Sequence, residues 1–330
     1  FVLESKNDKE LIIGLFIIGC MMTNINVRQN ERISLERIAA QRQTYSEAKL
    51  RIGIYLVFSV FIMILLNFIA KPLLINDEFL NIIGFKKIDI TNYIAIYALL
   101  LSFVELVYLK KIIPSMKEKG AKIQEIFDCY ALDIKWNKVI CGSEVNDFDI
   151  KTASDAYQKK HSNWEDLVDW YTPSVEVLQE SKVKATLLCQ QENLSWDLAQ
   201  RKSFVSLVNL ITFSFVFISF SISIYYGLTL ESFILSVVIP CWPLVNFCVV
   251  NNYENSESIR DKKGLATVID AAIAESNPTR KTVRNVQDLI YLNRKNNALI
   301  FDWFYKIHKG TNQRAVSYAT DNSVNNDTSR

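Results

Sequence analysis

The sequence predicts an all-α membrane protein: four spans in two hairpins, a helical cytosolic insert between them, and C-terminal helices. Three observations predict it. Four apolar runs, Ile52–Ala70, Ile90–Leu109, Phe204–Gly227 and Thr229–Val250, are each about 20 residues long. At ~1.5 Å rise per residue such a run crosses a ~30 Å hydrocarbon core. A long polar insert separates the first two runs from the last two. No strand-like alternation and no internal repeat of about 20–50 residues is present.

The chain divides into an extension at 1–22, a leading cytosolic helix at 23–51 and a first hairpin at 52–109. A cytosolic helical domain at 110–203, a second hairpin at 204–250, C-terminal helices at 251–309 and a disordered tail at 310–330 follow. Leu11–Met22 is apolar but too short to span. Glu4, Asp8 and Glu10 precede it, where a signal peptide carries basic residues. We read a natural start at Met21 or Met22; the alternative is a short interfacial anchor.

Asn30–Leu50 has no Gly or Pro and predicts a helix running into the first span. Met116, Ile123, Phe127, Tyr130 and Ile134 recur at helical steps, so the second span continues as an amphipathic helix until Cys141-Gly142-Ser143 breaks it. Residues 150–171 read as one or two short helices. Thr172-Pro173 is a helix start, a hydroxyl N-cap with Pro at the first helical position. That helix runs through the third span to Gly227. After the fourth span, Ser256–Ser276 and Thr279–His308 read as helices split by Asn277-Pro278. The tail from Gly310 is too polar to order itself.

Flanking charge orients the spans. Arg37, Arg42, Lys49 and Arg51 precede the first, and Lys110, Lys111, Lys117 and Lys119 follow the second. Arg201 and Lys202 precede the third, and Arg260, Lys262 and Lys263 follow the fourth. The turn Tyr225–Thr229 has no basic residue. The positive-inside rule then places both termini and the insert in the cytoplasm.

Composition excludes several classes. The chain holds 37 basic and 35 acidic residues, without the basic excess of a nucleic-acid binder. Six cysteines form no Cys-x-x-Cys pair and only two histidines occur, so no metal site is expected. No nucleophile–base pair or Gly-rich phosphate loop is visible, so neither catalysis nor a cofactor is expected.

Candidate residues fall in two groups. In the third span, Ser206, Asn209, Thr212, Ser219 and Ser223 recur near a heptad spacing. Such a stripe serves close helix packing or lines a polar path in an oligomer. Glu105, inside the second span, is either a functional carboxylate or one that snorkels toward the interface near Lys110. Pro240 and Pro243 interrupt the ladder of the fourth span. On the cytosolic side, Gln190, Asn193, Asp197, Gln200 and Arg201 recur along the helix leading to span three, flanked by Trp196. Gln41, Arg42, Tyr45 and Lys49 stand at the start of span one. Such faces are solvated, or they meet a phosphate-and-base ligand, Arg on phosphate and Trp or Tyr on the base.

Ile38–Lys49, Asp169-Trp-Tyr-Thr-Pro173, Cys189–Asp197, Asn285–Ile290 and Asp302-Trp-Phe-Tyr305 occur in order around the two hairpins. Together they resemble the S-4TM family of pore-forming effectors, over roughly Asn24 to Lys309. Two positions depart from the family pattern: Gln191 stands in place of Arg, and Phe301 in place of Pro. The resemblance implies a membrane effector of CBASS-type bacterial antiphage systems. A cyclic oligonucleotide made by a partner enzyme binds the cytosolic helices, subunits of a homo-oligomer rearrange, and the inner membrane is permeabilised. Arg42, Tyr45, Trp170, Tyr171, Gln190, Trp196 and Arg201 are then the ligand candidates. Ser206, Asn209, Thr212 and Ser219 are the pore or helix-interface candidates. A non-conducting membrane scaffold or sensor is the alternative, and a transporter ranks last, because the hairpins show no inverted similarity.

Overall fold

The computed structural model describes residues 25–75, 80, 82, 84, 86–173, 177, 180–225, 227, 229–275, 277–302 and 304. The extension at 1–22 and the tail at 310–330 lie outside the described residues. Among the described residues there is no strand. The helices are α1 (Arg32–Leu56), α2 (Lys71–Ile75), α3 (Thr91–Val104), α4 (Lys110–Ala131), α5 (Lys138–Cys141) and α6 (Asp147–Gln158). Then come α7 (Lys182–Tyr225), α8 (Leu230–Phe233), α9 (Ile239–Ala274) and α10 (Arg280–Asn296). They form two compact units. One comprises residues 1–46, 116–202 and 258–330, the other 47–115 and 203–257.

Among the described residues, three helical stretches are long and apolar enough to cross a membrane: Arg32–Leu74, Thr91–Ala131 and Lys182–Tyr225. The fourth apolar run is divided into α8, a π-helical segment Ile234–Val238 and the start of α9. The break has a local cause. Pro240 lacks the N–H that would bond the Ser236 carbonyl in an α register, and the turn before it takes the wider π register. Beyond it α9 continues through Pro243.

Within the apolar unit, side-chain bonds step in opposite directions along paired helices. Arg51 donates to the Tyr108 hydroxyl (3.3 Å), Tyr55 to Glu105 (2.5 Å) and Tyr97 to the Phe58 carbonyl (2.8 Å). In the second pair, Asn252 donates to Asn209 (2.6 Å) and the Phe220 and Phe233 rings meet edge to face at 6.3 Å. Descending numbers against ascending ones are the mark of antiparallel helix pairs. Further π-helical segments, Val57–Ile62, Leu65–Ala70 and Glu105–Leu109, loosen the ladder here, and Tyr97 reaches the Phe58 carbonyl within the first of them. Glu105 does not snorkel alone toward Lys110: its carboxylate takes the Tyr55 hydroxyl.

The outer surface of this unit is apolar. Leu99 is 70% exposed, Phe213 75% and Phe217 72%. Only 6% of the most apolar window of Lys182–Tyr225 is buried. An unpartnered apolar surface of that extent suits lipid.

The other unit has its own core. Leu187, Leu188 and Leu194 of α7 pack with Leu265 and Ile269 of α9 and Val283, Val286 and Ile290 of α10. A second cluster joins Ile38 and Ala39 of α1 to Phe127 of α4, Tyr157 of α6 and the loop residues Leu167 and Tyr171. Close approach sets one glycine. A Cβ on Gly120 would lie 2.9 Å from Cζ of Tyr45, so α4 presents bare backbone to that ring. We predict that Gly120→Ala lowers stability by about 1–3 kcal/mol, read as a drop in melting temperature of the detergent-solubilised protein. An unchanged melting temperature would show that Tyr45 moves aside freely.

Three helix boundaries differ from expectation. α4 ends at Ala131, ten residues before Cys141. Asp133 takes a left-handed conformation (φ 56°) and the Ile134 N–H bonds the Cys129 carbonyl at 2.9 Å, a Schellman stop without glycine. α7 begins at Lys182 rather than at Pro173, with the Ser181 hydroxyl accepting from the Lys184 N–H at 3.4 Å. The Thr172 hydroxyl, the expected cap, donates to Glu192 instead. α10 ends at Asn296, short of His308; next to its end, the Ala298 carbonyl is held by Arg201 at 3.0 Å.

Candidate functional site

A cavity of about 160 Å³ in the helical unit brings together four predicted residues, Arg42, Trp170, Tyr171 and Trp196. Its framework is the loop at 165–171, α1 and α7. Backbone-like pairing fixes the loop. The Gln29 amide donates to the Tyr171 carbonyl (3.0 Å) and accepts from its N–H (2.8 Å). The Asn30 amide does the same for Asp169, giving 2.8 Å to its carboxylate and taking its N–H at 2.9 Å. Asp169 is held at φ 51°, in the left-handed region. Trp170 meets Phe127 edge to face, while the Tyr171 ring stacks on Phe127, both at 6.1 Å.

The chemistry of the walls is mixed. Arg42 donates to the Asp166 carbonyl at 2.8 Å and lies 5.7 Å from the Trp170 ring centroid, a cation–π distance. Glu165, Asp166, Asp169 and Glu192 also line the cavity, so carboxylates outnumber the single Arg. Asn193 Nδ2 is buried in this wall with no hydrogen-bond partner among the described residues. An amide donor, carboxylate acceptors and indole faces fit a planar heterocycle with ring nitrogens and an exocyclic amine better than they fit a bare phosphate. Tyr171 supplies only an edge: its ring is core, and its hydroxyl donates to Asp128 at 2.7 Å.

Tyr45, Gln190 and Arg201 do not join this cavity. Tyr45 rests on Gly120, where burial pushes its phenol well up from the usual value. Gln190 is buried and donates to the Val283 carbonyl (3.2 Å) and to Gln287 (2.9 Å). Arg201 pairs with Asp197 at 3.1 Å. Helix geometry explains the split. At about 100° per residue, Gln190, Asp197 and Arg201 stand within ~20° of one direction, while Asn193 and Trp196 lie ~60° and ~120° round the helix. The shared spacing was a buried face toward α9 and α10. Gln191 donates to Asp270 at 2.5 Å.

Two buried charge clusters hold the unit together. In the first, Asp197 faces Arg201 and Lys262, the latter at 2.7 Å. Burial opposes ionisation of Asp197, but the two cations outweigh it and hold its carboxyl well below the usual range. Burial lowers Lys262 to about 8, against the opposing pull of Asp197. A depressed carboxyl adds stability above the unfolded value near 3.8 and loses it as pH falls below that. We therefore predict that wild type melts higher than Asp197→Asn at pH 7 and that the difference shrinks progressively as pH falls below about 4. A constant difference down to pH 3 would contradict the pairing.

The second cluster was not read from the sequence. Glu125 and Asp128 on α4 are fully buried. Arg284 meets Glu125 at 2.7 Å, Arg294 pairs with Asp128, and the Gln287 amide donates to both carboxylates at 2.8 and 2.9 Å. Burial, with Asp128 beside it, raises the Glu125 carboxyl despite Arg284.

In the apolar unit the predicted stripe does not act as one surface. Ser206 is exposed, Asn209 takes the inter-helix bond from Asn252, and the Thr212 hydroxyl turns back to the Val208 carbonyl at 2.8 Å. Ser219 is half-buried, and its carbonyl accepts the Ser223 hydroxyl at 2.7 Å.

An all-helical membrane protein with one apolar-surfaced unit and one polar, separately cored unit is thus defined. The chain belongs to the family of the SMODS-associating 4TM effector domain, which it matches over residues 23–323. It is also similar to a Bacillus cereus (strain VD146) protein described as a "Probable CBASS effector molecule". The identity is 22% over 286 residues, covering 84% of this chain and 90% of the relative. No solved structure matches.

Proposed function

We propose that this chain is a ligand-gated membrane effector of a bacterial antiphage system of the CBASS type. Four spans anchor it in the inner membrane, with both termini and the helical unit in the cytoplasm. A cyclic oligonucleotide is its trigger, a homo-oligomer its active form and loss of the membrane barrier its output. It performs no catalysis and uses no cofactor.

The observation that carries this reading is the division of one family member into two units. One exposes apolar helices. The other has its own core and a cavity walled by indoles, an arginine and an unpartnered amide donor. The description of the Bacillus relative supports the setting. Gating requires the ligand to bind the open state better than the closed one. A 100-fold preference shifts that equilibrium by about 2.7 kcal/mol.

A non-conducting scaffold is the second reading, and the Asn209–Asn252 bond favours it, because it assigns part of the stripe to packing. Paired measurements separate the two. With the trigger present, a conducting effector depolarises the cell, and Ser206→Leu with Asn209→Leu suppresses that if the stripe borders the path. A scaffold leaves membrane potential unchanged in either form.

A further inference from the structure

We infer that a second cavity in the helical unit is a phosphate site. It has a volume of about 300 Å³ and opens where the turn after α4 meets the first turns of α7 and α10. Lys135, Lys182, Arg280, Lys281 and Arg284 line it against a single carboxylate, Asp133. Its remaining walls are largely apolar, from Leu132, Ile134, Val183 and Val283.

Two of the five cations are already engaged. Lys182 pairs with Asp133, which Arg28 also meets at 3.2 Å, and Arg284 lies between Glu125 and Asp288. The side chains of Lys135, Arg280 and Lys281 have no ion-pair or hydrogen-bond partner among the described residues. Their placement also runs against local electrostatics. α7 opens on Lys182 and Lys184, α10 on Arg280 and Lys281, and neither helix has an acid in its first turn. The N-terminal end of a helix is its positive end, so cations there are unfavourable and an anion is favoured. Asp133 and Glu180 already answer Lys182 and Lys184 on α7, so the repulsion left for an anion to relieve is that of Arg280 and Lys281 on α10. The Thr279 hydroxyl already caps the Thr282 N–H at 3.2 Å, so on α10 the cations, rather than that amide, are the donors.

A solvated basic face needs neither a concave shape nor an apolar floor. This cavity has both, and the combination fits a phosphate ester carrying a planar or apolar body. Two sources share that chemistry: a cyclic oligonucleotide and an anionic lipid headgroup. Assigning the first rests on the ligand-gated reading above; the phosphate site itself does not. In the first case the basic cavity takes phosphate and the indole cavity takes a base, about ten residues and so ~15 Å apart along α7.

The test uses the full chain in detergent, with inorganic pyrophosphate as a probe that has neither base nor lipid. Isothermal titration is expected to show binding that weakens with salt. Arg280→Gln with Lys281→Gln should weaken it at least ~10-fold, and Trp170→Ala should leave it unchanged. Both substituted cations are exposed and unpaired, and an unaltered melting temperature of the free variant verifies its fold. The same proteins are then titrated with cyclic di- and trinucleotides, and with short-chain phosphatidylglycerol against phosphatidylcholine. Nucleotide binding lost in the double variant assigns a soluble ligand; selective loss of phosphatidylglycerol binding assigns a headgroup. Either supports the site. Pyrophosphate binding through these cations, with no cyclic oligonucleotide bound, keeps the site and defeats the ligand-gated reading. Equal pyrophosphate affinity in wild type and double variant, or no binding of any phosphate by wild type, overturns the inference.

Discussion

Asp128→Ala is expected to cost about 3–5 kcal/mol and to unfold the helical unit at temperatures where wild type is intact. The carboxylate is fully buried and gathers the Tyr171 hydroxyl of the loop with the Gln287 amide and the Arg294 guanidinium of α10. Truncation strips the largely buried Arg294 of its ion-pair partner. The loss is that of an uncompensated buried charge, not that of a surface pair, whose removal costs about 0–1 kcal/mol. Asp128→Asn keeps acceptor capacity and should fall between. Thermal unfolding in detergent, followed by tryptophan fluorescence, reads the effect. A melting temperature within the wild-type range for Asp128→Ala would mean that the cluster is hydrated and adds little.

The second large effect is on the trigger. Trp170→Ala should raise the concentration of cyclic oligonucleotide giving half-maximal depolarisation by about 10- to 100-fold, the equivalent of 1–3 kcal/mol for one stacked base. Trp170 is the candidate to truncate because it is the indole beneath Arg42, whereas the Tyr171 hydroxyl is tied to Asp128. Trp170→Phe retains a ring and should recover most of the response. Direct binding to the detergent-solubilised protein separates affinity from gating. If Trp170→Ala binds and responds as wild type does, the indole cavity is not where the base sits.

The apolar runs were legible because their signal is compositional and continuous over about 20 residues. Helix starts and stops were legible only where the cause is local. Thr279 caps α10 through Thr282, three residues away, and the sequence shows it. Thr172 looks like an equally good cap, but Glu192 claims its hydroxyl, and a partner 20 residues away is invisible to a local rule. Asp133 ends α4 in a left-handed conformation that glycine usually takes, so no breaker announced it.

The site divides in the same way. Arg42, Trp170, Tyr171 and Trp196, named from the sequence as ligand candidates, line one cavity. Gln190 and Arg201 were grouped with them because polar residues at helical spacing read as a solvated face. Here that face is buried against α9 and α10, and its polar groups find partners there. The basic cavity escaped because three distant segments build it. One signal was present, however: paired cations in the first turn of a helix, at Lys182 and Lys184 and again at Arg280 and Lys281, with no acid within either first turn.

The central claim is that a soluble nucleotide signal opens this protein's membrane unit. A voltage-sensitive dye in bacteria expressing the chain, with its neighbouring synthase or a panel of cyclic oligonucleotides delivered to the cytosol, tests it most directly. The account predicts rapid depolarisation that depends on one nucleotide and is blunted by Trp170→Ala. Unchanged membrane potential with every nucleotide, in cells where the protein is confirmed in the membrane fraction, would contradict it and leave the scaffold reading in its place.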